Sequence, residues 1–512
     1  MQWDNRSHYL AGLRLRFSLP GLLTILSRLP FQAQYAYHWD TVNFLFAMRH
    51  FDVLHEQPHP PGYPLYVLAA RTLALFLGDD HAALVMMSAV ASGIAVAFLY
   101  ALGRRLWGEF VGMGAALLLA TSPLFWFYGE IGLPHAVDTA FILASLWAMV
   151  SMREDRPHWW RGVVVLLALA GGIRPQTLVF LLPVALYAFW PLGWKRMAQA
   201  AALGAFLSLL WFVPLVASCG GLRAYLDYSA AYTARFMAHT SLFQGAGLAG
   251  VLYNARRLLL YTAYAVGAAW AGVGLALLTL RRSPDGRWRE AAVWSLLWGL
   301  PAFLFYLLVH MGQQGLVFVF LPILLLWAAA GVERWPRLRL WLLAGMALIN
   351  GLLFLFAPEY PMGQEGPRLL TRATLRHHDA DFGDRLAALH DYLPDSTAVM
   401  AEPWHHLEYY APDYHLLRLD EAPPNVPAAL TPRRWPGEGR LGMADLGLHP
   451  TSMGQWFLVL FDEGTMAGYP PRGEAVEALV RLELPHGGVM GALPLEAEAQ
   501  ICYDTSGWEL CR

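Results

Sequence analysis

Residues 37–66 read YHWDTVNFLFAMRHFDVLHEQPHPPGYPLY, and the interpretation of the whole chain turns on them. The stretch follows a first apolar segment and sets Asp40, Arg49, Asp52, His55, Glu56 and His59 among aromatic residues. Its end, His59-Pro60-Pro61-Gly62-Tyr63-Pro64, is not helix, because each proline locks its own φ and pushes the preceding residue towards extended backbone. An acidic residue beside Trp39, followed by a stiff turn, is either an ordinary polar loop between two membrane helices or the centre of a site. The surroundings decide which.

Of the 512 residues, 57% are hydrophobic and only 14% charged, with a mean hydropathy of +0.38. Soluble domains carry about 25% charged residues, so the composition is that of an integral membrane protein. A formal net charge of −2 argues against a nucleic-acid partner, which needs a surplus of basic residues to neutralise phosphates. Lys195 is the only lysine. Arginine is therefore the available phosphate binder, a role its planar fork suits. Cys219, Cys502 and Cys511 are too few for a disulfide scaffold or a structural zinc site. Arg14 and Arg16 precede an apolar run with no clear small-residue cleavage site after it, which reads as a retained anchor.

Stretches free of Asp, Glu, Lys and Arg run 82–103, 110–129, 175–194, 197–222, 258–280 and 340–358, and 291–332 holds two more, broken near 310–315. A first span near 17–37 contains Arg28, another at 131–152 contains Asp138, and 162–173 is short. At about 20 residues per crossing this makes about eleven spans. Residues 62–78 are apolar enough for a twelfth, but Arg71 sits inside them. With that piece lying along the surface, 17 basic residues, among them Arg6, Arg14, Arg16, Arg104, Arg105, Arg281, Arg282 and Arg339, collect on one side and 7 on the other. The positive-inside rule then puts the N-terminus in the cytoplasm, with the Asp40 loop and the tail outside, and makes 62–78 an interfacial helix. The expected fold is mainly α: a polytopic membrane domain over 1–358 and an extracytoplasmic α/β domain over 359–512. In the latter, 397–402, 414–419 and 455–461 read as strands, and 405–410 and 474–482 as helices.

The outer face under this topology collects the ionisable residues. Residues 125–138 carry Glu130, His135 and Asp138, the next helix pair supplies Arg174, residues 219–257 add Arg235, and the late hairpin adds His310 and Gln314. Polar groups near lipid are expensive and mark function by default. Each has a plainer alternative. Glu130 could cap the helix started by Pro134. Arg174 could reach for the interface, and His135 and Asp138, three apart, could bond only each other. The doublets His377-His378 and His405-His406 read as tail surface, and Cys502 and Cys511 as either bridged or free.

On these residues the chain resembles the GT-C membrane glycosyltransferases, and within them the protein O-mannosyltransferase-like branch. The resemblance rests on Trp39-Asp40 followed by His59-Pro60-Pro61-Gly62-Tyr63-Pro64-Leu65-Tyr66, on Ser122-Pro123-Leu124-Phe125-Trp126 leading to Glu130, and on HMGQQGLVFVFLP from His310 to Pro322. It covers roughly residues 10–355 and leaves the tail outside. It implies an enzyme of the plasma (inner) membrane that takes a sugar from a polyprenyl-phosphate carrier and gives it to a protein, lipid or glycan acceptor on the extracytoplasmic side. Asp40 and Glu130 are then the catalytic candidates. His59, Tyr63, His135, Asp138, Arg174, Arg235, His310 and Gln314 are the binding candidates. Thr41-Val42-Asn43 follow Asp40 where some relatives have an acidic pair, which leaves a divalent metal open. In such chemistry Asp40, its pKa raised by burial beside Trp39 and Tyr37, takes the acceptor proton. A carboxylate such as Glu130 steadies the oxocarbenium-like transition state, and Arg174 or Arg235 meets the growing charge on the leaving phosphate. The competing class is a polytopic lipid or sugar transporter or flippase. Such proteins tend to show paired repeats and polar broken helices at the bilayer midplane, and this sequence shows no such repeat.

Overall fold

The computed structural model describes residues 18–280, 286–361, 368–417, 439–448, 455–504 and 506–511. Arg6, Arg14, Arg16, Arg281 and Arg282 of the basic set, and the last two residues of the expected strand 414–419, lie outside them. By contact the chain forms two compact units. One comprises Asn43–Leu375 with the described residues up to Ala33, and the other Gln34–Val42 with the described residues from Arg376 onward.

The first unit is helical. Residues 18–28 form α1, followed by α2 Trp39–Arg49, whose residues up to Val42 belong to the second unit, then α3 Pro64–Leu77, α4 Asp80–Leu106, α5 Glu109–Thr121, α6 Pro123–Tyr128 and α7 His135–Glu154. Next come α8 Trp160–Ile173, α9 Pro175–Phe189, α10 Gly193–Ser218, α11 Leu222–Met237 and α12 Gly247–Val266. The set closes with α13 Trp270–Leu280, α14 Gly286–Leu308, α15 Leu321–Glu333 and α16 Arg339–Phe356. Among the described residues six helical stretches are long and apolar enough to cross a membrane: Asp80–Leu106, His135–Glu154, Pro175–Ser218, Gly247–Thr279, Gly286–Leu308 and Arg339–Phe356. The apolar runs had suggested about eleven, because they also count shorter helices such as α5 and α15 and treat Pro175–Ser218 as two. The expected span 110–129 breaks at Ser122-Pro123, where the Ser122 hydroxyl accepts the Phe125 amide and starts α6. Helices α4 and α5 approach closely at Gly103 and Gly112, where a Cβ on Gly103 would lie 2.8 Å from the Gly112 Cα. Small residues permit such backbone contact between membrane helices.

One end of this bundle is tied together by arginines. Arg105 bonds Glu154 at 2.6 Å and Asp155 at 3.1 Å, and Arg104 meets Glu109 at 3.0 Å. Arg287 donates to the Trp107 carbonyl at 3.3 Å. Arg334 and Arg339 lie over Trp288 and Phe110. These contacts gather the C-terminal ends of α4, α7 and α15 with the starts of α5, α14 and α16.

After α16 a short hairpin pairs β1 Tyr360–Pro361 with β2 Arg368–Leu369, and α17 Arg372–Leu389 leads into the second unit. There the strands are β3 Thr397–Met400, β4 His415–Leu417, β5 Gly439–Gly442, β6 Trp456–Leu460, β7 Pro471–Arg472, β8 Val480–Glu483, β9 Val489–Leu495, β10 Gln500–Asp504 and β11 Gly507–Cys511. They make a five-stranded sheet in the order β4-β3-β6-β9-β8 and a four-stranded one in the order β5-β10-β11-β7. Strand β3 runs parallel to β4 and β6, and α18 Trp404–Tyr410 makes the first crossover. The pleat sends alternate residues to opposite faces. Ala398, Met400, Leu458 and Leu460 accordingly join one core around Trp508, and Val399 and Val459 join another with Phe382, Leu389 and Phe461. The expected helix 474–482 is corrected. Only Glu474–Ala478 (α20) is helical, and Val480–Glu483 pairs antiparallel with β9. Sheet pairing overrides helix propensity there. Cys502 and Cys511 are disulfide-bonded.

Candidate functional site

Asp40 stands in the first turn of α2, within the second unit. Its carboxylate is 18% exposed and lies 3.6 Å from His38 Nδ1, which also accepts the Asp40 amide at 3.0 Å. Trp39 stacks on His405 at 4.5 Å and meets Trp404 edge-on at 5.2 Å. Of the tail histidines the sequence placed at the surface, His377 is exposed and His378 half-buried, but the second doublet is not at the surface. His405 and His406 are both buried. Burial, reinforced by His378, His405 and His38, lowers the His406 imidazole to about 3.

In the first unit the proline run turns tightly. Glu56 and Tyr63 both have positive φ, as does Gly62 at +101°, and Pro64 then opens α3. His59 reaches the Tyr63 hydroxyl at 3.3 Å and stacks on Tyr232, while the Tyr225 hydroxyl donates to the Pro61 carbonyl at 3.3 Å. Arg235 on α11 meets Glu56 at 3.5 Å. His55 bonds Asp52 at 2.6 Å instead of joining His59. Deeper in the unit, Asp138 accepts from the Thr177 hydroxyl at 2.6 Å and from Arg174 at 3.5 Å, with both charged side chains more than nine-tenths buried. Tyr306 and Tyr63 lie within electrostatic reach of Arg174. The Arg174 Nε is buried without a hydrogen bond. The guanidinium is therefore an internal ion-pair partner and not an interfacial snorkeller.

Glu130 is fully buried, and neither carboxylate oxygen accepts a full hydrogen bond. It does not cap α7, which follows Pro134 without a side-chain cap. Burial pushes its carboxyl well above the usual range. The Arg28 charge, then the Trp126 indole, then Arg372, pull it back. Arg28 is itself sealed, lying 4.4 Å over Trp126 and donating to the Ala120 carbonyl at 2.8 Å. His135 packs against Tyr128 and Phe318. His310 pairs with Thr240 at 2.9 Å, and burial with the Arg257 charge lowers its imidazole to about 4. Arg257 also donates to the Met311 and Gly312 carbonyls. Gln314 opens the short turn Gln314–Val319. Among the described residues no group of three His, Cys, Asp or Glu side chains is disposed to hold a metal ion.

Residues 58–217 match the family model of dolichyl-phosphate-mannose-protein mannosyltransferases. In the same fold as this chain is the crystal structure of ArnT from Cupriavidus metallidurans bound to undecaprenyl phosphate, with a TM-score of 0.55 and 12% identity, covering 94% of this chain and 98% of that one. The chain carries a mannosyltransferase-like segment and shares the fold of ArnT. ArnT in its apo state matches with a TM-score of 0.53 at 12% identity over the same shares. An Archaeoglobus fulgidus oligosaccharyltransferase tethered to an acceptor peptide gives 0.47 at 12% identity, covering 97% of this chain and 75% of that one. Curated protein sequences give no match.

The structure brings Asp138, Arg174 and Tyr63 into one neighbourhood and His59 beside Tyr63. Glu130 and His310 sit in separate settings, each beside a different arginine. Sequence reading missed His38, Thr177, Arg28 and Arg257 as their partners. His38, two residues before Asp40, was open to a local-contact argument. The others are brought together only by helix packing.

Proposed function

We propose that this chain is a glycosyltransferase moving a sugar from a polyprenyl-phosphate carrier to an acceptor hydroxyl on the extracytoplasmic side of the plasma (inner) membrane. One observation carries the reading: the mannosyltransferase match opens on the proline turn at residue 58, and within that span lies the buried Arg174–Asp138 pair with Tyr63 in reach. The ArnT structure holds undecaprenyl phosphate, and that ligand class suits an arginine with an unused N–H. The disulfide between Cys502 and Cys511 supports a tail outside the cytoplasm, since thiols stay reduced within it.

In this reading Asp40 takes the acceptor proton as the hydroxyl attacks the anomeric carbon, and the bond to the carrier phosphate breaks. Arg174 and Arg235 are the candidates for steadying the phosphate, and Glu130 adds to the field that favours the cationic sugar. The test is transfer by purified protein from a panel of polyprenyl-phosphate sugars. Asp40→Asn keeps the shape and removes the proton acceptor, so turnover is expected to fall by about 10²–10⁴-fold, with folding and donor binding retained. Unchanged turnover in that variant would place the base elsewhere.

A further inference from the structure

We propose that the second unit is the positioning device for Asp40, acting through Asp379 on α17 and Tyr410 on α18. This rests on the reading of Asp40 as the base. Three consecutive backbone amides ahead of Asp40 are held by side chains more than 340 positions away in the chain. Gln34 and Tyr35 donate to the two oxygens of the Asp379 carboxylate at 3.0 and 3.2 Å, and Ala36 donates to the Tyr410 hydroxyl at 2.8 Å. The rings follow the same pattern. Tyr35 packs edge-on against Phe382 and Tyr410, Tyr37 against His378, and Trp39 stacks on His405.

A connection between two membrane helices needs none of this, because its amides could be satisfied by water. Here both oxygens of one carboxylate are used on successive amides, and alternate side chains, at 35, 37 and 39, are gripped by aromatic residues of α17 and α18. The segment is therefore held in a single path up to the residue before Asp40. From there the Asp40 amide is fixed by His38 and the carboxylate enters the first turn of α2. Orientation of a catalytic group within a fraction of an ångström is worth much of a rate, and a misplacement of about 1 Å can lower it about 10²-fold. Asp379 and Tyr410 are positioning residues in this sense. Neither is assigned a contact with substrate.

The test uses the full chain in nanodiscs, comparing Asp379→Ala, Asp379→Asn and the milder Tyr410→Phe, which keeps the ring contacts and removes only the hydroxyl. Two quantities are read: amide hydrogen exchange at residues 34–40, and kcat against the donor KM for sugar transfer. The expected result is exchange at Gln34–Ala36 faster by about 10-fold or more. It comes with kcat lower by about 10²-fold, donor KM nearly unchanged, unaltered exchange in the β3 and β6 core, and partial rescue by asparagine. Faster exchange with unchanged kcat overturns the positioning role, and so does unchanged exchange in all three variants. A native chain inactive with every donor sinks the catalytic reading of Asp40 instead, while exchange at residues 34–36 still upholds or overturns the anchoring.

Discussion

Asp138 and Arg174 pair where water does not reach, and at the scale of single residues this sets a clear expectation. Both charges are desolvated, so removing one partner strands the other, and removing both need not harm the fold. Asp138→Ala is expected to lower stability by roughly 3–5 kcal/mol, read as thermal unfolding of the detergent-solubilised protein. The double variant Asp138→Leu with Arg174→Met should recover most of that loss. Sugar transfer then separates scaffold from function: a stable double variant that has lost transfer supports Arg174 as a donor-phosphate contact. A stable and fully active one makes the pair a structural element. The sequence marks both residues as expensive to keep near lipid, but they are 36 positions apart, and no local pattern pairs them. Asp52 and His55, three apart and bonded at 2.6 Å, are the kind of contact a sequence does reveal.

Helix α3 shows how much of an element is written into its ends. Pro64 stands at its first position, and Gly78, with φ +73°, closes it after 14 residues. At 1.5 Å per residue that is about 21 Å, short of the roughly 30 Å hydrocarbon core, in keeping with an interfacial helix. Leu68 and Leu75 are 58% and 84% exposed and two helical turns apart. Fluorophores placed at each should be quenched by brominated lipids at the same depth. A difference near the full two-turn rise of about 10 Å would mean the helix stands along the membrane normal. Helix α18 was equally legible in extent, but the burial of its histidines was not, because what covers them comes from distant segments. That burial has a consequence for pH. The His406 imidazole stands at about 3 against about 6.5 when unfolded, so the unfolded chain binds more protons between these values. The stability His406 contributes is present above about pH 6.5 and is lost on acidification, by up to about 1.4 kcal/mol per pH unit. Thermal unfolding followed from pH 7 to 4 should show this loss, and His406→Phe should flatten it.

Across the whole molecule, the order of apolar runs was enough to place most helices, because burial in lipid leaves a long, charge-free signature. The membership of Gln34–Val42 in the second unit was not legible, since it depends on partners such as Asp379 and Tyr410. The arginine bias occupies a middle position. The contacts of Arg104, Arg105, Arg287, Arg334 and Arg339 gather the helix ends that carry them onto one end of the first unit, and the positive-inside rule predicts that this end is cytoplasmic. Glu290, exposed near the start of α14, should then face the cytoplasm, and Val476, 53% exposed on α20, should face the outside. The native background is favourable for a test: Cys219 is the free cysteine among the described residues and is buried, and Cys219→Ser removes it. In that background a membrane-impermeant maleimide applied to intact cells should label Val476→Cys and leave Glu290→Cys untouched until the membrane is permeabilised. The opposite pattern would put Asp379, Tyr410 and the Asp40 segment they hold in the cytoplasm, and an extracytoplasmic acceptor could not be the substrate.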